Sequence, residues 1–254
     1  MRRLGRGVLK AAGSLYGERP VPLAVISLAR RVASGEDPLL PSPVRVQTMG
    51  TAIRHPLLRD LLADQKLGAW TLGSRTINLL EREIHSRRPK VVLEFGSGIS
   101  TVCIARFLAD VHGENADWQI VSIDQSADFA ANTHALLGKL GLAGRVRLLT
   151  CPLVMQTIEG LTANCYTMAS RDEIGDLGAG ADLVLIDGPA AESGARFGTL
   201  PLARPYLAPD AQFVLDDALR DGELDVLHGW RKLPYVRLRG MRLIDKGLLV
   251  GQVK

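Results

Sequence analysis

Five apolar stretches of this 254-residue chain end in residues that can do polar chemistry. The ends are Glu94-Phe95-Gly96-Ser97-Gly98, Asp124, Thr150-Cys151-Pro152-Leu153, Asp187-Gly188-Pro189 and Asp216-Asp217. Four of the five carry carboxylates. A carboxylate held against an apolar core is costly unless it is paired or put to use. Their repetition is therefore the strongest functional signal in the chain, and Asp187 and Asp216 are the candidates for a direct part in catalysis.

The first end shows what kind of ligand is expected. Gly96 and Gly98 let the backbone turn tightly and come close to a bound molecule. A helix beginning near Ser100 points its positive amino end into the same space, which welcomes a negative group. A dinucleotide site would want a third glycine at position 101, where Thr101 stands, and it has no need of an acid at position 94. A ligand carrying both an ammonium and a carboxylate would use both features. The glycine amides, Ser97, Ser100 and Thr101 at the helix start would surround its carboxylate, and Glu94 would favour its cation. Asp124, followed by Gln125, offers two oxygens to two ribose hydroxyls. An amino-acid head joined to a ribose describes S-adenosylmethionine.

These residues need elements to position them. "KVVLEFG", "WQIVSID", "RVRLLTCPL", "ADLVLIDG" and "AQFVLDD" read as strands. "STVCIARFLADVHG", "SADFAANTHALLGKLGL", "LPLARPYL" and "GELDVLHGWRKL" read as the helices between and after them. "YVRLRG" and "GLLVGQV" close the chain as a hairpin. Strands rich in Val, Ile and Leu alternating with helices indicate an α/β, Rossmann-like, mostly parallel sheet covered on both faces. Ligands of such sheets sit at the carboxyl ends of the strands. Ahead of this core, residues 1–46 read as a basic helical arm with a Pro-rich linker (34–46), and residues 47–88 as a helical lead-in to a domain spanning 47–254.

"VLEFGSGIST" together with Asp124 resembles the cofactor motif of class I S-adenosylmethionine-dependent methyltransferases. The later run "DLVLIDGP…R…LDDALRDGE" resembles the branch labelled methyltransferase domain 24, related to catechol and caffeoyl-CoA O-methyltransferases. The resemblance covers about residues 68 to 254. It implies a seven-stranded sheet whose last strand is antiparallel. It also implies that Glu94, Gly96 and Gly98 surround the methionine part, that Asp124 holds the ribose, and that the loop from Cys151 to Leu153 lies near the adenine. The corresponding metal ligands would be Asp187, Asp216 and Asp217, with aspartate where the catechol-type enzymes have a final asparagine. Three carboxylates suit Mg²⁺ or another hard divalent cation, which would lower the pKa of a coordinated hydroxyl and orient it. The lysine that serves the catechol-type enzymes as base lies shortly after the first of these aspartates. Here "GPAAES" follows and contains no lysine, which leaves the base open.

Other readings stand beside these. Asp216-Asp217 could cap a helix and Asp187 a turn. Arg196 and Arg220 could grip an anionic substrate or form internal ion pairs. Tyr166 and Trp70 could wall a pocket or fill the core, and Cys103 reads as packing. For function, the leading reading is O-methylation of a hydroxylated small molecule such as a sugar or secondary metabolite. A metal-independent methyltransferase acting on another atom or on a protein, and an NAD-binding oxidoreductase or binding module, are the alternatives.

Composition narrows the field. Cys103, Cys151 and Cys165 form no CxxC pair and the five histidines are scattered, which argues against zinc and disulfides and suits a cytoplasmic protein. The net charge of +4 comes from the arm, where residues 1–31 hold seven Lys/Arg against one acid. With aromatics at 5% and no basic face on the core, a nucleic-acid partner is not expected. "VPLAVISLA" is too short to span a membrane, which takes roughly 20 residues, and allows at most a weak surface contact. A homo-oligomer is compatible with all of this.

Overall fold

The computed structural model describes residues 40–254 apart from 48, 66, 69, 70, 169, 191–193 and 221. The basic arm and Trp70 lie outside the described residues. Strand β1 is Val44–Val46, helix α1 Pro56–Leu61 and helix α2 Ser74–Arg87. The core then alternates as β2 Val91–Phe95, α3 Ile99–His112, β3 Gln119–Asp124, α4 Ala127–Lys139 and β4 Val146–Thr150. A hairpin of β5 Leu153–Ile158 and β6 Leu161–Tyr166 follows, then a short α5 at Arg171–Ile174. The chain closes with β7 Ala181–Ile186, α6 Thr199–Ala203, β8 Leu207–Leu215, α7 Glu223–Trp230, β9 Val236–Leu243 and β10 Leu248–Val253.

The main sheet has the order β1-β9-β10-β8-β7-β2-β3-β4. β8, β7, β2, β3 and β4 run parallel, and β10 is antiparallel to both β8 and β9. The seven expected strands are all present. The eighth, β1, lies parallel to β9 on the edge, where the sequence reads as linker because three prolines precede it.

Each central strand is buried on both faces, so alternate residues enter two separate cores. Leu93, Phe95, Val121, Ile123, Ile186 and Phe213 pack on one side with Trp230. Val92, Ile120, Leu185 and Val214 pack on the other with Ile77, Ile84, Ile104 and Leu108 of α2 and α3. Each such side chain contributes about 1.5–3 kcal/mol on burial. The stretch "LPLARPYL" is less regular than its apolar spacing predicts. It breaks into short 3₁₀ and α turns around Pro201 and Pro205, since proline removes the N–H that a helix interior needs.

Candidate active site

The order of the sheet fixes where a ligand can sit. The chain lays β3 and β4 on one side of β2, then crosses back to lay β7 and β8 on the other. The loops after β2 and β7 therefore part company, and a crevice opens beyond their carboxyl ends. A cavity of about 520 Å³ fills it, lined by residues 96–100, Asp124, Gln125, Asp187 and Gly188, with Phe129, Asn132, Thr133 and Leu136 of α4 on its far wall.

The turn at Gly96 is shaped by its neighbour. Gly96 has φ +100°, and a Cβ there would lie 2.8 Å from the Gly188 nitrogen and 3.1 Å from the Asp187 carbonyl carbon. The Phe95 carbonyl accepts the N–H groups of both Asp187 (2.9 Å) and Gly188 (2.8 Å), which locks the two loops together. Only glycine meets both the conformation and the close approach.

Glu94 is fully buried, and it faces α3 rather than the cavity. Strand alternation places it on the same side as Val92. Its Oε2 accepts the hydroxyls of Thr101 (2.5 Å) and Ser122 (2.7 Å), and Thr101 Oγ1 in turn accepts the Gly98 N–H (3.0 Å). The acid thus anchors the first turn of α3 from beneath, and Thr101 occupies the place of a third glycine because it carries this relay. Burial pushes the Glu94 carboxyl up to about 7, against the opposing pull of the Ser100, Thr101 and Ser122 hydroxyls. Glu94 and Thr101, expected at the ligand, do not line the cavity: both stand behind the turn.

Asp124 does reach the cavity. Its Oδ2 accepts the Ser97 N–H (2.9 Å) and its Oδ1 the Ser126 N–H (2.7 Å). The carboxylate keeps acceptor capacity for a further donor. Burial raises its pKa, and these amides partly offset the rise. Gln125 also lines the cavity, with its Oε1 accepting the Tyr166 hydroxyl at 3.1 Å. Tyr166 itself is buried against Phe95. Cys151 and Leu153 do not line the cavity. Cys151 is buried, its N–H bonded to the Asp124 carbonyl, and Leu153 opens the β5–β6 hairpin. Cys103 is buried in the core, as its helical position suggests.

The three remaining acids converge. Asp187, Asp216 and Asp217 each present an oxygen within 4.8 Å of the others. Only Asp187 borders the cavity, with 18% of its side chain exposed. Burial pushes its carboxyl up to about 6, with Arg196 pulling down and Asp217 pushing up. Burial and the neighbouring Asp187 and Asp217 raise Asp216 well above the usual carboxylate range. As a donor set the trio suits a hard divalent ion, but cations of the chain already surround it. Arg196, almost fully buried, lies 3.7 Å from Asp187 Oδ1 and 3.8 Å from Asp217 Oδ2. Arg220 lies 3.5 Å from Asp217 Oδ2, and Lys246 Nζ 3.1 Å from Asp217 Oδ1. The cluster does not fit a magnesium ion, and no step is assigned to one. Arg196 is an internal partner rather than a substrate grip. Its Nη1 and Nη2 donate to the carbonyls of Asp216 (2.9 Å) and Asp187 (2.5 Å).

A second cavity, of about 240 Å³, lies between α2 and the sheet, lined by Leu79, Ile84, Arg88, Asp182 and Arg242 among others. It borders the amino end of β7 and shares no residue with the strand-end acids.

Residues 93–218 match the model of the methyltransferase domain family, and every acid described above falls within them. Solved structures agree on the fold of the chain. An O-methyltransferase from Bacillus cereus, in complex with SAH, superposes with TM-score 0.58 at 18% identity, over 79% of this chain and 92% of its own. The O-methyltransferase TomG from Streptomyces achromogenes, involved in tomaymycin synthesis and in complex with SAM, gives 0.55 at 17% identity, over 79% and 91%. SAH-bound methyltransferase PaMTH1 from Podospora anserina gives 0.57 at 16%, over 79% and 88%. No curated protein matches the sequence.

Two features of the site were not read from sequence. Phe129, 51% exposed on α4, gives the cavity an apolar wall. Lys246 reaches the acidic cluster from the β9–β10 turn, far along the chain from Asp187, so no local motif announces it.

Proposed function

We propose that this chain is an S-adenosylmethionine-dependent methyltransferase acting on a hydroxyl of a small molecule, such as a sugar or secondary metabolite. The observation that supports it is the meeting of three features in one cavity at the strand-order reversal: the Gly96 turn, the amino end of α3, and Asp124. The turn amides and the α3 amino end suit the carboxylate of an amino-acid head. Asp124 suits a ribose, and Phe129 with Leu136 offers apolar surface to a base. Bound there, the cofactor would supply an electrophilic methyl group with a neutral leaving group.

The chain's own part is to orient the acceptor and take its proton. Asp187 is the acid that joins the cavity to the charged cluster, and a carboxyl near 6 is ionised at neutral pH yet basic enough to accept a proton. With an acceptor hydroxyl held in line with that methyl, its proton would pass to an Asp187 oxygen. Arg196, which donates to the carbonyls of both Asp216 and Asp187, positions Asp187, and Asp216 is buried away from the cavity. The three free cysteines, all buried, support a cytoplasmic setting. Among the described residues no helix is long and apolar enough to cross a membrane. The test is release of S-adenosylhomocysteine against a panel of phenols, sugars and hydroxylated metabolites. Methylation at oxygen is expected; binding of NAD without binding of S-adenosylmethionine would overturn the reading.

A further inference from the structure

The acidic cluster holds its own counter-ions, and one of them is delivered from outside the methyltransferase motif. Four carboxylates, Asp187, Asp216, Asp217 and Glu223, face Arg196, Arg220 and Lys246, a formal balance of one negative charge. Arg196 and Arg220 bind on the Glu223 side, at 3.6 and 2.6 Å from Glu223 Oε1. Among the described residues, Lys246 is the cation that approaches Asp217 Oδ1, a buried oxygen with no hydrogen-bond partner there. Electrostatically it also acts on Asp187.

The position of this lysine is built in from two sides. On one side, Asp245 Oδ2 accepts the Thr76 N–H (2.9 Å) and hydroxyl (2.8 Å), capping the first turn of α2. On the other, the Gly247 carbonyl accepts the Ala218 N–H (3.0 Å), one residue after Asp217. Gly247 has φ +95°, and a Cβ there would lie 3.0 Å from Leu219. The turn is thus pinned between α2 and the loop after β8, and Lys246 is carried to the acids by backbone that has little room to retract. A divalent ion among the three aspartates would have to expel the ammonium or sit beside three positive charges.

We propose that Lys246 is the resident cation of the cluster, filling the place of a divalent ion, so that methyl transfer here runs without metal. This rests on the methyltransferase reading. It leaves Asp187 as the carboxylate open to the acceptor, with Asp217 neutralised behind it.

The experiment is Mn²⁺ binding, followed by electron paramagnetic resonance on the full chain freed of metal, in wild type, Lys246→Met, and Lys246→Met with Asp217→Asn. At about 1 mM Mn²⁺, a concentration that fills weak carboxylate sites, wild type should bind none at the cluster. Lys246→Met should gain a site at least about tenfold tighter, which Asp217→Asn removes. Lys246→Arg, which keeps the charge, should exclude the ion as wild type does. Should the methionine variant not fold, Lys246→Gln takes its place. Turnover of wild type should be unchanged by chelator. Mn²⁺ binding by wild type that Asp217→Asn abolishes, chelator-sensitive turnover, or no gain of binding in the lysine variant would each overturn the proposal. Failure of the methyltransferase reading looks different: S-adenosylmethionine would not bind at all.

Discussion

Glu94→Gln tests whether the buried acid beneath the α3 turn carries the free-energy cost its surroundings imply. Burial raises the Glu94 carboxyl from 4.5 to about 7. At about 1.4 kcal/mol per pH unit, that gap is worth about 3 kcal/mol. The folded protein binds the proton more tightly than the unfolded chain. The contribution is therefore fully present below pH 4.5 and is lost as the pH rises through about 7. Glutamine is neutral throughout, keeps an oxygen for Thr101 and Ser122, and places an amide where the protonated acid has its hydroxyl. Glu94→Gln should match wild type near pH 4.5 and exceed it by up to about 3 kcal/mol above pH 8. Urea denaturation of both proteins at the two pH values reads the difference directly. Asp124, Asp187 and Asp216 titrate in both proteins, so they largely cancel. A stability difference that does not change with pH, or a wild type more stable than the variant at high pH, refutes the reasoning.

Gly96→Ala puts a methyl 2.8 Å from the Gly188 nitrogen at φ +100°, and should lower stability by about 1–3 kcal/mol and abolish cofactor binding. Thermal melts and calorimetry check both effects. Asp187→Asn should cut kcat/KM by about 10²–10⁴-fold and reduce cofactor affinity far less. In wild type, kcat/KM should fall as the pH drops below about 6, where Asp187 becomes protonated; a flat profile would remove Asp187 as the base. Trp230→Ala removes a buried ring packed edge-on against Phe213 and the bond from its Nε1 to the Phe197 carbonyl, and should cost about 3–5 kcal/mol in chemical denaturation.

The strand ends were legible because four of the five apolar runs stop at an acid, and the parallel order follows from alternation with helices. The facing of Glu94 was not. A strand buried on both sides shows no polar alternation to say which core a residue enters, so Glu94 read as part of the cavity when it lies under α3. The β5–β6 hairpin escaped notice because its turn is Glu159-Gly160, with φ of 50° and 82°. Glutamate seldom occupies such a position, where Asn or Asp would have signalled the turn. That hairpin draws Leu153 away from the cavity. The three aspartates were visible as a group, but their counter-ions were not: Arg196 and Lys246 reach them only through tertiary folding.

The cavity beside Gly96 and Asp124 is proposed to take S-adenosylmethionine. Titration calorimetry of wild type and Asp124→Asn, each shown folded by its melt, tests it most directly. One site is expected in wild type, with affinity weakened about 10–100-fold in the variant, the worth of hydrogen bonds to a charged group. Absence of binding in the folded wild type, or equal affinity in the two proteins, would contradict the account.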